Sequence, residues 1–310
     1  MLNYNDVNMK YSRLIISFIL FILINNCASI ILKSAITLER SKGSLEIKKI
    51  QIENTNIVYS EGGNGEVLIL VHGFGGDKDN WTRMTPYLNS KYRIISPDLP
   101  GFGDSDRDTS LNYSVSEQVK RLHLFLEKLG IKKFHIAGNS MGGAISASYS
   151  SKYPDEIISL ILINPAGVVS PIKSELTINL ENGFNPLLVN DVKDYDRLLN
   201  FIFVKKPYIP DIIKEYFAEK AVKNRSFNDK IFKDLRSEKN ISEESLSKIK
   251  SPTLIIWGDS DKVIHISSVD VFKKYLVNSK VIIMKDCGHS PQIERPEEVA
   301  THIKDFLSQR

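Results

Sequence analysis

The sequence predicts an α/β fold: a mostly parallel central sheet, helices on both of its faces, and a helical insertion late in the chain. Short runs rich in Val, Ile and Leu recur between stretches with helical spacing, as expected for strands buried on both faces of a parallel sheet. That rhythm stops between about residues 170 and 248, where only helices and loops can be read, a stretch of roughly 80 residues that is too long for a plain loop. The strand-like run Phe134-His135-Ile136-Ala137 passes through Gly138-Asn139-Ser140-Met141-Gly142 straight into a small-residue run, Ala144 to Ser151, that reads as a helix.

The elements follow in chain order. Lys10 and Arg13 precede the apolar run Leu14 to Ile24, a basic-then-apolar pattern of export signals. Asn25-Asn26-Cys27-Ala28-Ser29 follows, and apolar residues resume at Ile30-Ile31-Leu32, so residues 1–33 are expected to form a signal peptide or an N-terminal membrane anchor. An uncleaved anchor is the first reading. Cleavage with lipidation at Cys27 is the second, against a poor match of Ile24-Asn25-Asn26 to a lipoprotein signal. The basic flank keeps the N-terminal end cytoplasmic and places the body outside, membrane-anchored or exported.

Spaced apolar residues at Ile47, Ile50, Ile52, Ile57 and Tyr59 predict a hairpin. Buried strands are then expected at 67–71, 92–96, 134–137, 157–163, 253–257 and 280–284. A helix over 115–129 shows Val119, Leu122, Leu126 and Leu129 at helical spacing and ends at Gly130, and a last helix is expected over 297–307. The folded domain should span 46–308, with the helical insertion forming a cap.

Composition narrows the chemistry. A net charge of +4, from 41 basic and 37 acidic residues scattered along the chain, argues against nucleic acid. Two cysteines, Cys27 and Cys287, cannot make a disulfide framework. CxxC, HExxH and GxxxxGK[ST] patterns are absent from the sequence, so neither a metal nor a cofactor is expected, and the partner should be a small molecule.

A Gly-x-Ser-x-Gly pentapeptide at a strand-to-helix turn is a nucleophile elbow, which exposes the Ser140 hydroxyl and leaves the next N–H free for an oxyanion. A serine hydroxyl is a weak nucleophile and needs a base oriented by an acid. Of six histidines, His123 and His302 lie in expected helices and His135 in a strand, which suits structural roles. His289, in Asp286-Cys287-Gly288-His289-Ser290-Pro291 just past the last strand, is the base candidate, because strand ends are where an open parallel sheet meets its ligands. The acid should come from Trp257-Gly258-Asp259-Ser260-Asp261, with Asp261 first and Asp259 in reserve; at the preceding strand end Asn164-Pro165 stands instead. Oxyanion donors are expected from Met141 and, in the loop His72-Gly73-Phe74-Gly75-Gly76, from Phe74. His72, Gly73 and Gly75 of that loop are expected to line the substrate.

Together, His72-Gly-Phe-Gly-Gly76, Asp98-Leu-Pro-Gly-Phe-Gly-Asp-Ser105, Gly138-Asn-Ser-Met-Gly-Gly143, Trp257-Gly-Asp-Ser-Asp261 and Gly288-His289-Ser290-Pro291 resemble the α/β-hydrolase superfamily. Within it, the stretches His72 to Trp81, Gly138 to Gly143 and Asn164-Pro165-Ala166-Gly167 look most like bacterial family V lipases and membrane-anchored monoacylglycerol lipases. The resemblance implies a serine esterase acting on lipid or related esters, with Ser140 as nucleophile, His289 as base, Asp261 as acid and Phe74 and Met141 as oxyanion donors. It implies a structural role for Asp98 to Ser105. Haloalkane dehalogenases and epoxide hydrolases are similar but carry aspartate where Ser140 stands. Meta-cleavage C–C hydrolases share the elbow, yet their oxyanion loop has a Gly-Pro step that His72 to Gly76 lacks; they are the alternative enzyme. A membrane-tethered binding protein without catalysis is the alternative of another class. Phe201, Ile202, Phe203, Val204, Tyr208, Ile209, Tyr216 and Phe217 give the expected cap apolar surface for an acyl chain.

Overall fold

The computed structural model describes residues 32, 34–238 and 241–309. The expected signal or anchor, Cys27 included, lies outside the described residues apart from Leu32. Among the described residues no helix is long and apolar enough to cross a membrane.

Eight strands form one sheet: β1 (Glu46–Ile52), β2 (Thr55–Gly62), β3 (Glu66–Val71), β4 (Tyr92–Pro97), β5 (Phe134–Asn139), β6 (Ile157–Ile163), β7 (Thr253–Gly258) and β8 (Ser279–Met284), in the order β1-β2-β4-β3-β5-β6-β7-β8. The hairpin β1–β2 pairs antiparallel and β2 meets β4 antiparallel; every other neighbour is parallel. From β3 the chain steps outward to β4 and then returns past β3 to β5. The strand order therefore reverses beside β3 and β5, and the crevice at such a reversal, beyond the carboxyl ends, is where ligands bind open α/β sheets.

Side chains alternate across a strand, and this alternation divides the core in two. Ile69, Val71, Ile136, Leu160, Leu162, Ile255 and Trp257 join one buried cluster with Val119, Leu122 and Phe125 of α2 (Val115–Lys128), Ile145 and Tyr149 of α3 (Met141–Lys152) and Phe272 of α9 (Ser268–Tyr275). Leu68, Leu70, Ile94, Ala137, Ile161, Ile163, Leu254 and Ile256 face the other way, onto Trp81, Met84 and Leu88 and onto Val299, Ala300 and Ile303 of α11 (Pro296–Leu307). Burial on both faces explains why these strands read as unbroken apolar runs. β5 extends two residues past its apolar run, because Gly138 and Asn139 keep their parallel register with Leu162 and Ile163.

A helix over 34–42, α1, leads into the sheet, and its Arg40 forms a two-pronged ion pair with Asp79 at 2.8 and 2.6 Å. Between β6 and β7 lie α4 (Glu175–Glu181), α5 (Val192–Ile202), α6 (Asp211–Lys223), α7 (Arg225–Ser237) and α8 (Glu243–Ser247). Ser174, Asp191 and Ser242 cap α4, α5 and α8 by accepting first-turn N–H groups. α7 packs down onto the body: Ile231 is fully buried, Phe227 meets Tyr113 edge-on at 5.5 Å, and Asp234 accepts the Tyr113 N–H at 3.0 Å.

Candidate active site

Ser140 sits between β5 and α3 with φ 55° and ψ −120°, a backbone that L side chains rarely adopt. Its neighbours leave no room for larger residues. A Cβ on Gly138 would lie 2.1 Å from Gly142 O, one on Gly142 2.1 Å from Val71 O, and one on Gly143 2.6 Å from Pro165 Cβ. The turn is pinned from both sides: Ser140 N donates to Ile163 O at 3.1 Å, and Ala166 N donates to Ser140 O at 3.0 Å. Asn139 Nδ2 donates to Ile163 O and to His289 O, each at 3.0 Å, which ties the elbow to the histidine loop 150 residues away.

His289 and Asp261 are joined by a 2.8 Å hydrogen bond from Nδ1 to Oδ2, with both side chains withdrawn from solvent. Asp261 is held on all sides. Its Oδ1 accepts from Val263 N at 2.8 Å and Ile264 N at 3.1 Å, and its Oδ2 also accepts from Asn164 Nδ2 at 2.6 Å. The reserve acid, Asp259, is exposed and bonds its neighbour Ser260 instead. Ser140 Oγ makes no hydrogen bond to His289 among the described residues. Catalytic hydrogen bonds of this kind are often long without substrate and tighten when it binds.

The loop after β3 lies directly against the elbow: a Cβ on Gly73 would stand 3.3 Å from Ser140 Cβ. Gly75 has φ 71° and is exposed, a turn position that needs glycine. Met141 N–H lies in the first turn of α3, where no intrahelical acceptor exists, and Phe74 N–H has no acceptor among the described residues. The Phe74 ring is wedged edge-on between Phe102 at 6.0 Å and Phe232 of α7 at 5.4 Å. His72 departs from its expected place in the substrate lining. Its ring is fully buried, Nδ1 donates to Gly73 O at 2.8 Å, and Nε2 accepts from Leu99 N at 3.1 Å, so no ring nitrogen remains for a substrate. Burial lowers its pKa and keeps the ring neutral, as accepting from Leu99 requires.

Both candidate side chains are withdrawn from solvent. Ser140 is 9% exposed and His289 5%. The C-terminus of α5 reaches the histidine loop, where His289 N donates to Ile202 O at 2.7 Å. Below, the Asp98-to-Ser105 segment supports the loop after β3. Asp98 Oδ1 accepts Lys78 N at 2.6 Å, and Asp98 Oδ2 takes Lys78 Nζ at 2.8 Å and Asp104 N at 2.7 Å. Among the described residues no cluster of three or more His, Cys, Asp or Glu side chains is arranged to hold a metal.

Residues 66–296 match the alpha/beta hydrolase fold family. The chain belongs to that family. This hydrolase is 41% identical over 278 residues to Lipase 1 of Psychrobacter immobilis, spanning 87% of this chain and 86% of that one. It is 33% identical to monoacylglycerol lipase abhd6-B of Xenopus laevis, over 85% and 82% of the two chains. A solved membrane phospholipase A, described as a bacterial virulence factor, superposes on the hydrolase with a TM-score of 0.91 at 41% identity, covering 96% of this chain and 98% of the other.

Asn164, like Asn139, is a site residue to which reading the sequence assigned no role. It occupies the β6 strand end with φ 43°, is fully buried, and uses its amide in both directions: Nδ2 to Asp261, and Oδ1 accepting Gly258 N at 3.2 Å. Its position at a strand end in this hydrolase was the available signal. Asn164→Asp sets a second carboxylate against Asp261, and two carboxylates in contact cannot both stay ionised. The expected result is a loss of ester hydrolysis of at least about 100-fold at neutral pH, partly recovered by Asn164→Ser, checked by steady-state kinetics.

Proposed function

We propose that the protein is a serine carboxylic ester hydrolase acting on acylglycerols or related lipid esters. The observation that carries this reading is the buried Asp261–His289 hydrogen bond beside a serine held in a strained strand-to-helix turn. The Asp261 carboxylate on Nδ1–H leaves Nε2 as the proton acceptor. Ser140 Oγ then attacks the ester carbonyl while His289 Nε2 takes its proton. The N–H groups of Phe74 and Met141 hold the developing oxyanion; removing one such donor typically costs about 10²–10³-fold in rate. The alcohol leaves with the proton from His289. Water, deprotonated by the same nitrogen, attacks the acyl-serine, and the acid is released as His289 returns that proton to Ser140 Oγ.

The helices between β6 and β7 serve as the cap, with Phe203 beside the histidine loop and α7 behind Phe74 offering apolar surface to the acyl chain. The lipases and monoacylglycerol lipases among the similar proteins support a lipid ester as substrate, and so does the apolar stretch from Leu14 to Leu32, which would hold the site at a bilayer with the body outside the cytoplasm.

A fluorophosphonate probe should label Ser140 covalently, and hydrolysis of acyl esters of graded chain length should rise on going from two-carbon to longer chains. A folded sample that resists the probe would point to a tethered binding protein. Faster cleavage of a vinylogous diketone than of any ester would replace this reading by carbon–carbon bond hydrolysis.

A further inference from the structure

The bonds that close the site converge on a side chain that the chemistry does not use. Glu294, at the end of α10 (Pro291–Glu294), is half-buried and receives three backbone N–H groups on its carboxylate. Oε2 accepts from Gly288 N at 3.0 Å and Val204 N at 3.3 Å; Oε1 accepts from Lys205 N at 2.9 Å. Gly288 immediately precedes His289, and Val204 and Lys205 follow Phe203, the C-cap of helix α5. Alongside runs the bond from His289 N to Ile202 O.

The two backbones touch: a Cβ on Gly288 would lie 2.3 Å from Ile202 O and 3.1 Å from Phe203 Cα. At this crossing both strips present N–H groups, which cannot bond one another, and a carboxylate between them supplies the missing acceptor. No salt bridge involves Glu294 among the described residues, so these N–H groups are what hold its charge. Phe203 N still donates to Leu199 O of α5 at 3.0 Å and Pro210 O accepts from α6, but between them residues 204–209 belong to no helix, and Val204, Lys205, Lys206 and Tyr208 are exposed. The carboxylate is therefore the main fastening of this strap just where it crosses the histidine loop.

We propose that Glu294 is a positioning residue that ties the cap strap 202–205 to the His289 loop, so that one carboxylate both sets His289 in place and keeps the site shut until substrate displaces the strap. The substrate's part rests on the ester-hydrolase reading; the tie does not. Hydrogen bonds to a charged group are worth about ten- to a hundredfold in an equilibrium, and small misplacements of a catalytic group cost rate steeply.

The test compares the full chain with Glu294→Ala, Glu294→Gln and Lys205→Pro, the last of which removes one donor from the strap side only. By hydrogen exchange, the amides of 204–205 and 288–289 should open about tenfold faster or more in Glu294→Ala, and by an intermediate factor in Glu294→Gln, with the sheet unchanged. The ratio of Ser140 labelling by a bulky fluorophosphonate to that by a small one should rise about threefold or more, while kcat for a short ester falls about tenfold at unchanged KM. Lys205→Pro should raise the labelling ratio with the 288–289 amides still protected. An unchanged ratio in Lys205→Pro overturns the proposal even if Glu294→Ala does not fold, and so does an acceleration of exchange spread evenly over the molecule. A wild-type protein that neither hydrolyses esters nor takes the probe would overturn the hydrolase reading instead, and exchange would still decide the tie.

Discussion

Ser140→Ala is expected to lower kcat/KM for a short-chain ester by about 10⁴–10⁶-fold, since on the proposed mechanism a base and an oxyanion hole without a nucleophile retain only residual catalysis. The fold survives, because the serine hydroxyl makes no hydrogen bond to His289 and the turn is fastened through backbone atoms, Ser140 N to Ile163 O and Ala166 N to Ser140 O. Ser140→Gly is equally inactive but more stable. At φ 55° and ψ −120° a side chain is strained by about 1–3 kcal/mol, and glycine removes that strain at some cost in unfolded-chain entropy. The expected net gain is about 1 kcal/mol, or about 2–4 °C in Tm for a domain of this size. Kinetics and thermal melts of both variants check this. More than a few per cent of wild-type activity in Ser140→Ala would remove Ser140 from the mechanism, and a glycine variant less stable than wild type would refute the strain account.

Lys78→Met is expected to destabilise the protein by about 3–5 kcal/mol, the usual effect of leaving one member of a buried ion pair without its partner. Lys78 and Asp98 side chains are 1% and 0% exposed, and Lys78 Nζ also reaches Asp104 Oδ2 at 2.6 Å. Removing the ammonium strands the Asp98 carboxylate under the loop proposed to hold the oxyanion, so activity should fall along with stability. Adding Asp98→Asn to Lys78→Met removes the stranded charge while keeping an oxygen for one of the two backbone N–H groups, of residues 78 and 104, that the carboxylate accepts, and should recover part of the loss. Burial alone would lower the Lys78 pKa, but the Asp98 charge and the hydrogen bonds to Asp104 and Asp98 outweigh it and push it up to about 12. A lysine that binds its proton more tightly when folded contributes stability that is fully present below its ordinary 10.5 and lost as pH rises through about 12. Burial likewise pushes the Cys287 thiol from 9.0 up to about 12, so the wild type should weaken across pH 9–12, and Lys78→Met should lose only the upper part of that transition. Urea denaturation at neutral and alkaline pH measures both effects, and a Lys78→Met variant within 1 kcal/mol of wild type would contradict the buried-pair argument.

Much of this was legible before folding because it depends on local pattern. Strands buried on both faces must be apolar throughout, so the runs ending at Val71, Ala137, Ile163 and Trp257 stand out. An elbow needs glycines on either side of its serine, and Gly138 and Gly142 stand there because Gly142 O and Val71 O lie too close for any Cβ. His289 and Asp261 could be named because both follow strand ends. His72 shows where local pattern misleads: a histidine in the oxyanion loop reads as a substrate contact, yet its ring turns inward to bind Gly73 and Leu99.

What the sequence by itself determined is the α/β-hydrolase fold, the elbow at Ser140 and the candidates for acid and base, since each is encoded in residues within a few positions of one another. The tertiary structure alone decided how those parts are held. Asn164 reaches Asp261 across 97 positions, Lys78 reaches Asp98 across 20, and Glu294 reaches Val204 across 90. Buried polar groups must find partners wherever the fold brings donors and acceptors within about 3 Å, and that proximity comes from strand order and packing, not from any spacing along the chain.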